Sequence, residues 1–179
     1  PSLRTRVSFD VGIHQLGGFS TLLTRDEINL GKRETISDVA KNLERMVQGI
    51  MIRTFGHENV EKMAEFASIP VINGLTDFSH PCQAMADFMT IQEVKGRLKG
   101  IRIAYVGDGN NVAHSLMYAS ALLGANLAVA TPEGYEPNPD VAKWASANAG
   151  AAGGRLEVVR DPVAAVSGAD VVYTDVWAS

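Results

Sequence analysis

The chain lacks the features that mark membrane, disulfide-rich and nucleic-acid-binding proteins. Its 179 residues include one cysteine, Cys82, so no disulfide framework forms within the chain. No apolar run reaches the ~18 residues that a membrane-spanning helix needs, and no secretory signal is evident. The net charge of -4, without a basic stripe, argues against a nucleic-acid partner. We therefore expect a cytoplasmic protein.

A metal centre is not expected either, because cysteine, histidine and acidic residues do not cluster at the spacing of metal ligands. The sequence has no internal repeat and no low-complexity segment. It begins at Pro1 rather than at Met and stops at Ser179, and both ends look cut. What is present is an ordinary globular composition, 46% hydrophobic and 20% charged.

Short apolar runs alternate with amphipathic stretches, which predicts an α/β fold of parallel sheets flanked by helices. Predicted strands lie at 19–23, 49–54, 70–73, 101–106, 127–131, 156–159 and 171–174. Predicted helices lie at 5–16, 37–47, 58–67, 81–95, 112–123, 139–148 and 162–167. A charged, glycine-bearing stretch near 95–100 separates two βα lobes, 1–95 and 100–179, of which the second is Rossmann-like.

Two of the helices are expected to bury one apolar face each. In the helix at 5–16 this face consists of Phe9, Ile13 and Leu16. The helix at 37–47 is preceded by Thr35, which with Asp38 forms a variant capping box. Its core-facing residues are Ile36, Val39, Leu43 and Met46.

The opening residues 2–6, Ser-Leu-Arg-Thr-Arg, lie where a helix would begin. The first N–H groups of a helix have no internal partner, and the helix dipole there favours negative charge. The Arg4 guanidinium adds a planar fork that can hold two anionic oxygens. The pattern predicts a phosphate-binding site, and the alternative is a solvated helix start capped by Ser2.

Polar side chains also follow two predicted strands. Arg53 ends the strand at 49–54 and is a candidate anion ligand, although an Arg there also suits a surface ion pair. Pro81 suits a first helical position, so His80 stands at a helix entrance, three residues before Gln83. Both side chains can donate hydrogen bonds to a carbonyl that gains negative charge, and the alternative is a plain helix start. Cys82 is expected to be a packing residue.

The turn at 107–111, Gly-Asp-Gly-Asn-Asn, follows a strand and opens a helix. It is half of a dinucleotide-binding fingerprint, since Val112 stands where the full pattern has Gly or Ala. A nicotinamide site with Glu133 as the ribose ligand remains an alternative. The two adjacent asparagines suit a zwitterionic amino acid instead, because amides both donate and accept. Asp175 follows the last strand, where it can pair with an ammonium group or cap a turn.

Taken in order, these motifs resemble the ornithine carbamoyltransferases of the aspartate/ornithine transcarbamoylase superfamily. The stretches that carry the resemblance are 2–6, 53–54, 80–83, 107–111, 131–137 and 174–177. The resemblance implies transfer of the carbamoyl group from carbamoyl phosphate to the δ-amine of L-ornithine. The products are L-citrulline and phosphate, in arginine biosynthesis. It further implies a cytoplasmic homotrimer with sites between subunits and no cofactor.

The resemblance also assigns roles to residues. It implies that the catalytic residues are Thr5, Arg53 and His80. The residues that it implies for carbamoyl phosphate are Ser2, Leu3, Arg4, Thr5, Arg53, His80 and Gln83, with Asn29 from a neighbouring subunit. Those implied for ornithine are Asn111, Asp175 and Ser179.

The chain departs from the family pattern at several places. The family commonly has Thr where this chain has Leu3, and Gln where it has Asn29. The family's N-terminal helical stretch, His-Cys-Leu-Pro loop and final Arg-bearing helix are not in the sequence, so we expect a chain truncated at both ends. Three alternatives stay open: a transcarbamoylase for another amine such as putrescine or aspartate, an NAD-dependent dehydrogenase domain, and a non-catalytic binding module.

Overall fold

A computed structural model describes residues 2–28 and 34–175. The helices there are α1 Leu3–Gln15, α2 Arg25–Ile28, α3 Ile36–Leu43, α4 His57–Phe66, α5 Pro81–Lys95, α6 Asn111–Leu123, α7 Pro139–Ala152 and α8 Pro162–Val166. The strands are β1 Ile50–Arg53, β2 Val71–Leu75, β3 Arg102–Val106, β4 Asn126–Ala130, β5 Arg155–Val159 and β6 Val171–Tyr173. The predicted α/β class is confirmed.

The strand predicted at 19–23 is wrong, because residues 18–24 have no regular structure and all of them are exposed. Phe19 is 80% exposed, so the apolar run finds no sheet neighbour to pack against. The short helix α2 was not expected. Elsewhere the predicted elements are present with small shifts, the largest being α3, which ends at Leu43, and α7, which continues to Ala152.

The chain divides into two compact units. One consists of residues 1–52 and 58–74, and the other of residues 53–57 and 75–179. The division predicted from the sequence, at 1–95 and 100–179, stays a prediction.

The first unit has its core between α3, α4 and the two strands β1 and β2. Val39, Ala40 and Met63 are buried there. The β1 and β2 strands run parallel, because Ile50 N–H donates to Pro70 O at one end and Thr54 N–H to Leu75 O at the other. The predicted capping role of Thr35 is confirmed, since its side chain accepts from the backbone N–H of Asp38 at 3.1 Å.

Two predicted core faces of this unit are only partly correct. No residue of α1 is buried, and Leu16 is 90% exposed, because the core takes its residues from α3, α4, β1 and β2. Val39 of α3 is buried, with Ile36 and Leu43 packed against the cluster, as predicted. Met46 is 68% exposed, since the helix ends before it.

The second unit is a parallel four-stranded sheet in the order β5-β4-β3-β6. Alternate strand residues point to opposite faces of a sheet. Ile103, Tyr105, Leu127 and Val129 join the core formed with α5, α6 and α7. Their neighbours Ala104 and Ala130 pack with α8 on the other face. The loops after β3, β4 and β6 consequently leave from one edge of the sheet, which is where ligands bind in open α/β sheets.

Candidate active site

The start of α1, in the first unit, is a capped helix N-terminus. Ser2 is the N-cap, and its Oγ accepts a hydrogen bond from the backbone N–H of Thr5 at 3.4 Å and from the Thr5 hydroxyl at 3.2 Å. Leu3 and Arg4 occupy the first turn with exposed side chains. The predicted helix start is therefore confirmed, and phosphate binding by Ser2, Leu3, Arg4 and Thr5 stays a prediction.

In the second unit, Arg53 is the last residue of β1, and the β2–α5 loop, which we define as residues 76–80, follows β2. The backbone holds these segments together, since Asp77 N–H donates to Phe55 O at 2.9 Å. Thr76 is fully buried, its N–H donates to Ser79 O, and its Oγ1 accepts from Ser79 N–H at 3.1 Å. The loop is thus a closed turn that delivers His80 to the start of α5.

His80 is the N-cap of α5 and Pro81 its first residue, as predicted. The imidazole makes no capping hydrogen bond, and its Nδ1 is buried without a hydrogen-bond partner among the described residues. Burial lowers the pKa of His80 and the Arg53 guanidinium lowers it further, while the Asp175 carboxylate acts in the opposite direction. Burial and Arg53 thus favour the neutral form of the imidazole, and the charges of Arg53 and Asp175 both act on it.

The Gln83 amide has a hydrogen-bond partner on its own helix. Its Nε2 donates to Asp87 Oδ1 at 2.9 Å, one helical turn further along α5. A carboxylate oxygen accepts and does not donate, so Asp87 holds one hydrogen of the amide nitrogen. The second Nε2 hydrogen and Oε1 are not used by this bond, and the predicted donor role of Gln83 stays a prediction. Burial raises the pKa of Asp87 more than this hydrogen bond lowers it.

The turn after β3 organises the other half of the site. Asn110 caps α6 by accepting from Val112 N–H, and its Nδ2 donates to Asp175 Oδ2 at 3.1 Å. The Asn111 Nδ2 donates to Thr76 O at 2.5 Å, which leaves its Oδ1 as an acceptor. The two asparagines therefore hold the turn to Asp175 and to the β2–α5 loop, and the ligand role predicted for them stays a prediction.

The same turn is closed to a dinucleotide. Gly109 N–H donates to Tyr135 O, and a Cβ on Gly109 would overlap the backbone of Glu136 and Pro137. The loop after β4 therefore lies where the pyrophosphate of a nicotinamide cofactor would approach the turn. This packing argues against the dehydrogenase alternative.

The structure thus brings Arg53, His80, Gln83, Asn111 and Asp175 together in the second unit, while Ser2, Leu3, Arg4 and Thr5 belong to the first. The predicted site residues Asn29 and Ser179 lie outside the described residues. Sequence reasoning missed Asp87, whose spacing of four from Gln83 was a usable signal.

Two polar residues of α6, His114 and Ser115, were not among the site residues predicted from the sequence. Both are buried, and both hydrogen-bond to the β2–α5 loop. Burial raises the pKa of the Cys82 thiol, which fits the packing role predicted for Cys82.

Within residues 2–28 and 34–175, no group of three or more His, Cys, Asp and Glu side chains is placed to hold a metal ion. None of the helices in this part of the chain combines the length and the apolar character needed to cross a membrane.

Two family models match the chain in succession. Residues 1–93 match the carbamoyl-P binding domain of aspartate/ornithine carbamoyltransferase, and residues 99–179 match its Asp/Orn binding domain. The chain belongs to the aspartate/ornithine carbamoyltransferase family. The resemblance inferred from the sequence is thereby confirmed, and membership of this family removes the dehydrogenase alternative.

Family members of known name are similar over the whole chain. The ornithine carbamoyltransferase of Thermococcus kodakarensis is 62% identical over 179 residues, and the anabolic one of Pyrococcus furiosus is 58% identical. The solved structure of the Pyrococcus furiosus ornithine carbamoyltransferase superposes with a TM-score of 0.97 over 100% of this chain. In each case the chain spans 57% of the relative's length.

Proposed function

We propose that the whole protein is an ornithine carbamoyltransferase of arginine biosynthesis. It transfers the carbamoyl group of carbamoyl phosphate to the δ-amine of L-ornithine and releases L-citrulline and phosphate. The observation that carries the proposal is the buried His80 Nδ1, which has no hydrogen-bond partner among the described residues and lies close enough to Arg53 and Asp175 for both charges to shift the pKa of the imidazole. Arg53 and His80 would polarise the carbonyl, and Asp175 would pair with the ammonium group.

In the proposed reaction, the lone pair of the neutral δ-amine forms a bond to the carbamoyl carbon. The carbon–oxygen bond to phosphate then breaks, and phosphate leaves with the electron pair, while the amine proton passes to phosphate or water. Arg53, His80 and Thr5 donate hydrogen bonds to the carbonyl oxygen as its negative charge develops. Placement of the two substrates supplies the rest of the acceleration.

The two substrates are proposed to use different groups. Ser2, Leu3, Arg4 and Thr5 would hold the phosphate at the start of α1, with the Leu3 backbone N–H sufficing where its side chain cannot bond. The Gln83 Oε1 would accept from the carbamoyl amino group.

For ornithine, Asp175 would pair with the α-ammonium, and Asn111 Oδ1 would accept a second hydrogen bond from it. Asn29 of a neighbouring subunit and Ser179 complete the proposed site, in a cytoplasmic homotrimer. These last assignments rest on the family resemblance.

The test is citrulline formation by the whole protein from carbamoyl phosphate, with ornithine compared against putrescine and aspartate at equal concentration. We expect ornithine to be preferred, because putrescine lacks the α-amino acid group and aspartate lacks the δ-amine. A protein that carbamoylates putrescine or aspartate faster would belong to the other acceptor class. The absence of carbamoyl transfer to all three would favour the binding module.

A further inference from the structure

The β2–α5 loop, residues 76–80, is hydrogen-bonded to the first two turns of α6. Every second residue of the loop finds a partner on that helix. The three contacts join Asn111 Nδ2 to Thr76 O at 2.5 Å, His114 Nδ1 to Phe78 O at 2.8 Å and His80 N–H to Ser115 Oγ at 2.7 Å. Because His80 ends the loop, its position depends on α6.

The middle contact fixes the tautomer of a buried histidine. His114 is 7% exposed, and its Nε2 accepts the backbone N–H of Asn138 at 2.9 Å. A backbone N–H can only donate, so Nε2 must carry the lone pair. The ring hydrogen then sits on Nδ1, where it donates to Phe78 O. Both ring nitrogens are thus satisfied by one neutral tautomer.

Aromatic packing reinforces this contact. The Phe78 ring lies against His114 with ring centroids 5.3 Å apart, and against His57 at 5.0 Å. His57 Nδ1 in turn lies 2.9 Å from Thr76 Oγ1. The middle of the loop is therefore held at both its backbone and its side chain.

We propose that His114 is a positioning residue for carbamoyl transfer, holding the β2–α5 loop so that the His80 imidazole stays aimed at the carbonyl. This inference rests on the proposed function, since it assigns His114 a part in the same reaction. His114 does not touch the substrate. Its effect comes through Phe78 O on one side and Asn138 N–H at the start of α7 on the other.

Two substitutions separate its two hydrogen bonds. Asparagine places an amide donor near the Nδ1 position and can keep the bond to Phe78 O, whereas glutamine reaches the Nε2 position and can keep the bond from Asn138. In the whole protein we expect His114→Asn to retain most of the wild-type kcat for citrulline formation. We expect His114→Gln to lose kcat about tenfold to a hundredfold, the size of effect that a displacement near 1 Å can have, with a smaller change in KM for carbamoyl phosphate.

A second pair of variants, with smaller changes, keeps the inference testable if a His114 variant fails to fold. Ser115→Ala removes the acceptor of His80 N–H, and Ser120→Ala is its matched control on the same helix. Ser120 is 1% exposed, and its hydroxyl has no hydrogen-bond partner among the described residues. We expect Ser115→Ala to lower kcat and Ser120→Ala to leave it unchanged.

Hydrogen exchange of the amides at 76–80 gives a readout independent of catalysis. We expect faster exchange in His114→Gln and Ser115→Ala, and wild-type exchange in Ser120→Ala and His114→Asn. Equal loss of kcat in both His114 variants, or wild-type kcat and exchange in His114→Gln and Ser115→Ala, would overturn the inference. If the wild-type protein forms no citrulline, the proposed function fails, and exchange alone then decides whether His114 holds the loop.

Discussion

The helices α1 and α5 both begin at residues proposed to hold carbamoyl phosphate, yet the two starts are built differently. At α1 the N-cap Ser2 bonds its own helix, and no residue of the helix is buried. At α5 the N-cap His80 leaves its imidazole without a capping bond, and Ala84, Phe88 and Ile91 anchor the helix in the core. The α6 helix holds the backbone of His80 in addition.

The two helix starts differ in how much rearrangement a bound ligand would require. A phosphate at α1 meets a helix start whose first donors are partly satisfied by Ser2, so binding there involves sharing or replacing an existing hydrogen bond. A carbonyl at α5 meets an imidazole whose backbone is already held by Ser115 and whose Nδ1 has no hydrogen bond to give up among the described residues. Electrostatic stabilisation is most effective when its donors are already in place. We therefore expect changes at His80 to affect turnover and changes at Ser2 and Arg4 to affect binding.

The largest predicted effect compares the two arginines of the whole protein. Arg53→Ala should lower kcat about a hundredfold to a thousandfold, as the loss of one donor to a developing oxyanion does. Arg4→Ala should mainly raise KM for carbamoyl phosphate. Steady-state kinetics with citrulline detection checks both. Equal kcat losses in the two variants would contradict the proposed division between phosphate binding by Arg4 and stabilisation of the carbonyl by Arg53.

Asp175→Asn should raise KM for ornithine about tenfold to a hundredfold, since a charged hydrogen bond contributes ~1.5–3 kcal/mol. Calorimetric titration should find unchanged carbamoyl phosphate affinity in the free enzyme. Asp140→Asn, an exposed acid in the first turn of α7, is the matched control. If the Asp175 variant loses affinity for both ligands equally, the assignment of Asp175 to ornithine is wrong.

Asp87→Asn should lower turnover several-fold and yet stabilise the fold at neutral pH. Burial raises the pKa of Asp87 above 3.8, so the folded state binds more protons than the unfolded state above that pH. Stability then falls as pH rises through the raised pKa, and asparagine removes this cost. Thermal unfolding at pH 4 and pH 7 should show a gain in Tm that grows with pH. A variant less stable than wild type at pH 7 would contradict this.

The smallest effect is expected at the cap of α1. Ser2→Ala should destabilise by about 0.5–2 kcal/mol and Ser2→Gly by only a few tenths, as is usual for N-caps. Denaturant unfolding of both variants measures this. If carbamoyl phosphate affinity drops equally in both while their stabilities differ, then Ser2 acts on the ligand independently of its capping role.

The bounds of α5 were predicted to the exact residue. Both signals lie in the segment itself, a proline at the first helical position and a glycine after the last one. The apolar run at 19–23 met the same local criteria and forms no strand, because a strand also needs a neighbour. The core position predicted for Met46 is wrong for a similar reason, since the helix that would have turned its side chain inward ends at Leu43.

In the site as well, local features were predictable from the sequence and contacts between distant residues were not. Topology predicted His80 and Asp175 in the segments that follow strands. Asp87 was missed, although its spacing of four from Gln83 on one helix was a usable signal. The bond between Asn110 and Asp175 spans 65 residues, and the double bonding of His114 links two loops that the sequence keeps far apart. Such pairings follow from strand order and register, which the sequence pattern alone does not give.

The most direct test of the account is a crystal structure of the whole protein with carbamoyl phosphate and L-norvaline, an amino acid of ornithine's length without the reacting δ-amine. We predict the carbonyl oxygen within hydrogen-bond distance of His80 and Arg53, the phosphate at the start of α1, and the norvaline ammonium on Asp175. A carbonyl bound away from His80, or an ammonium group held elsewhere than at Asp175, would contradict the account.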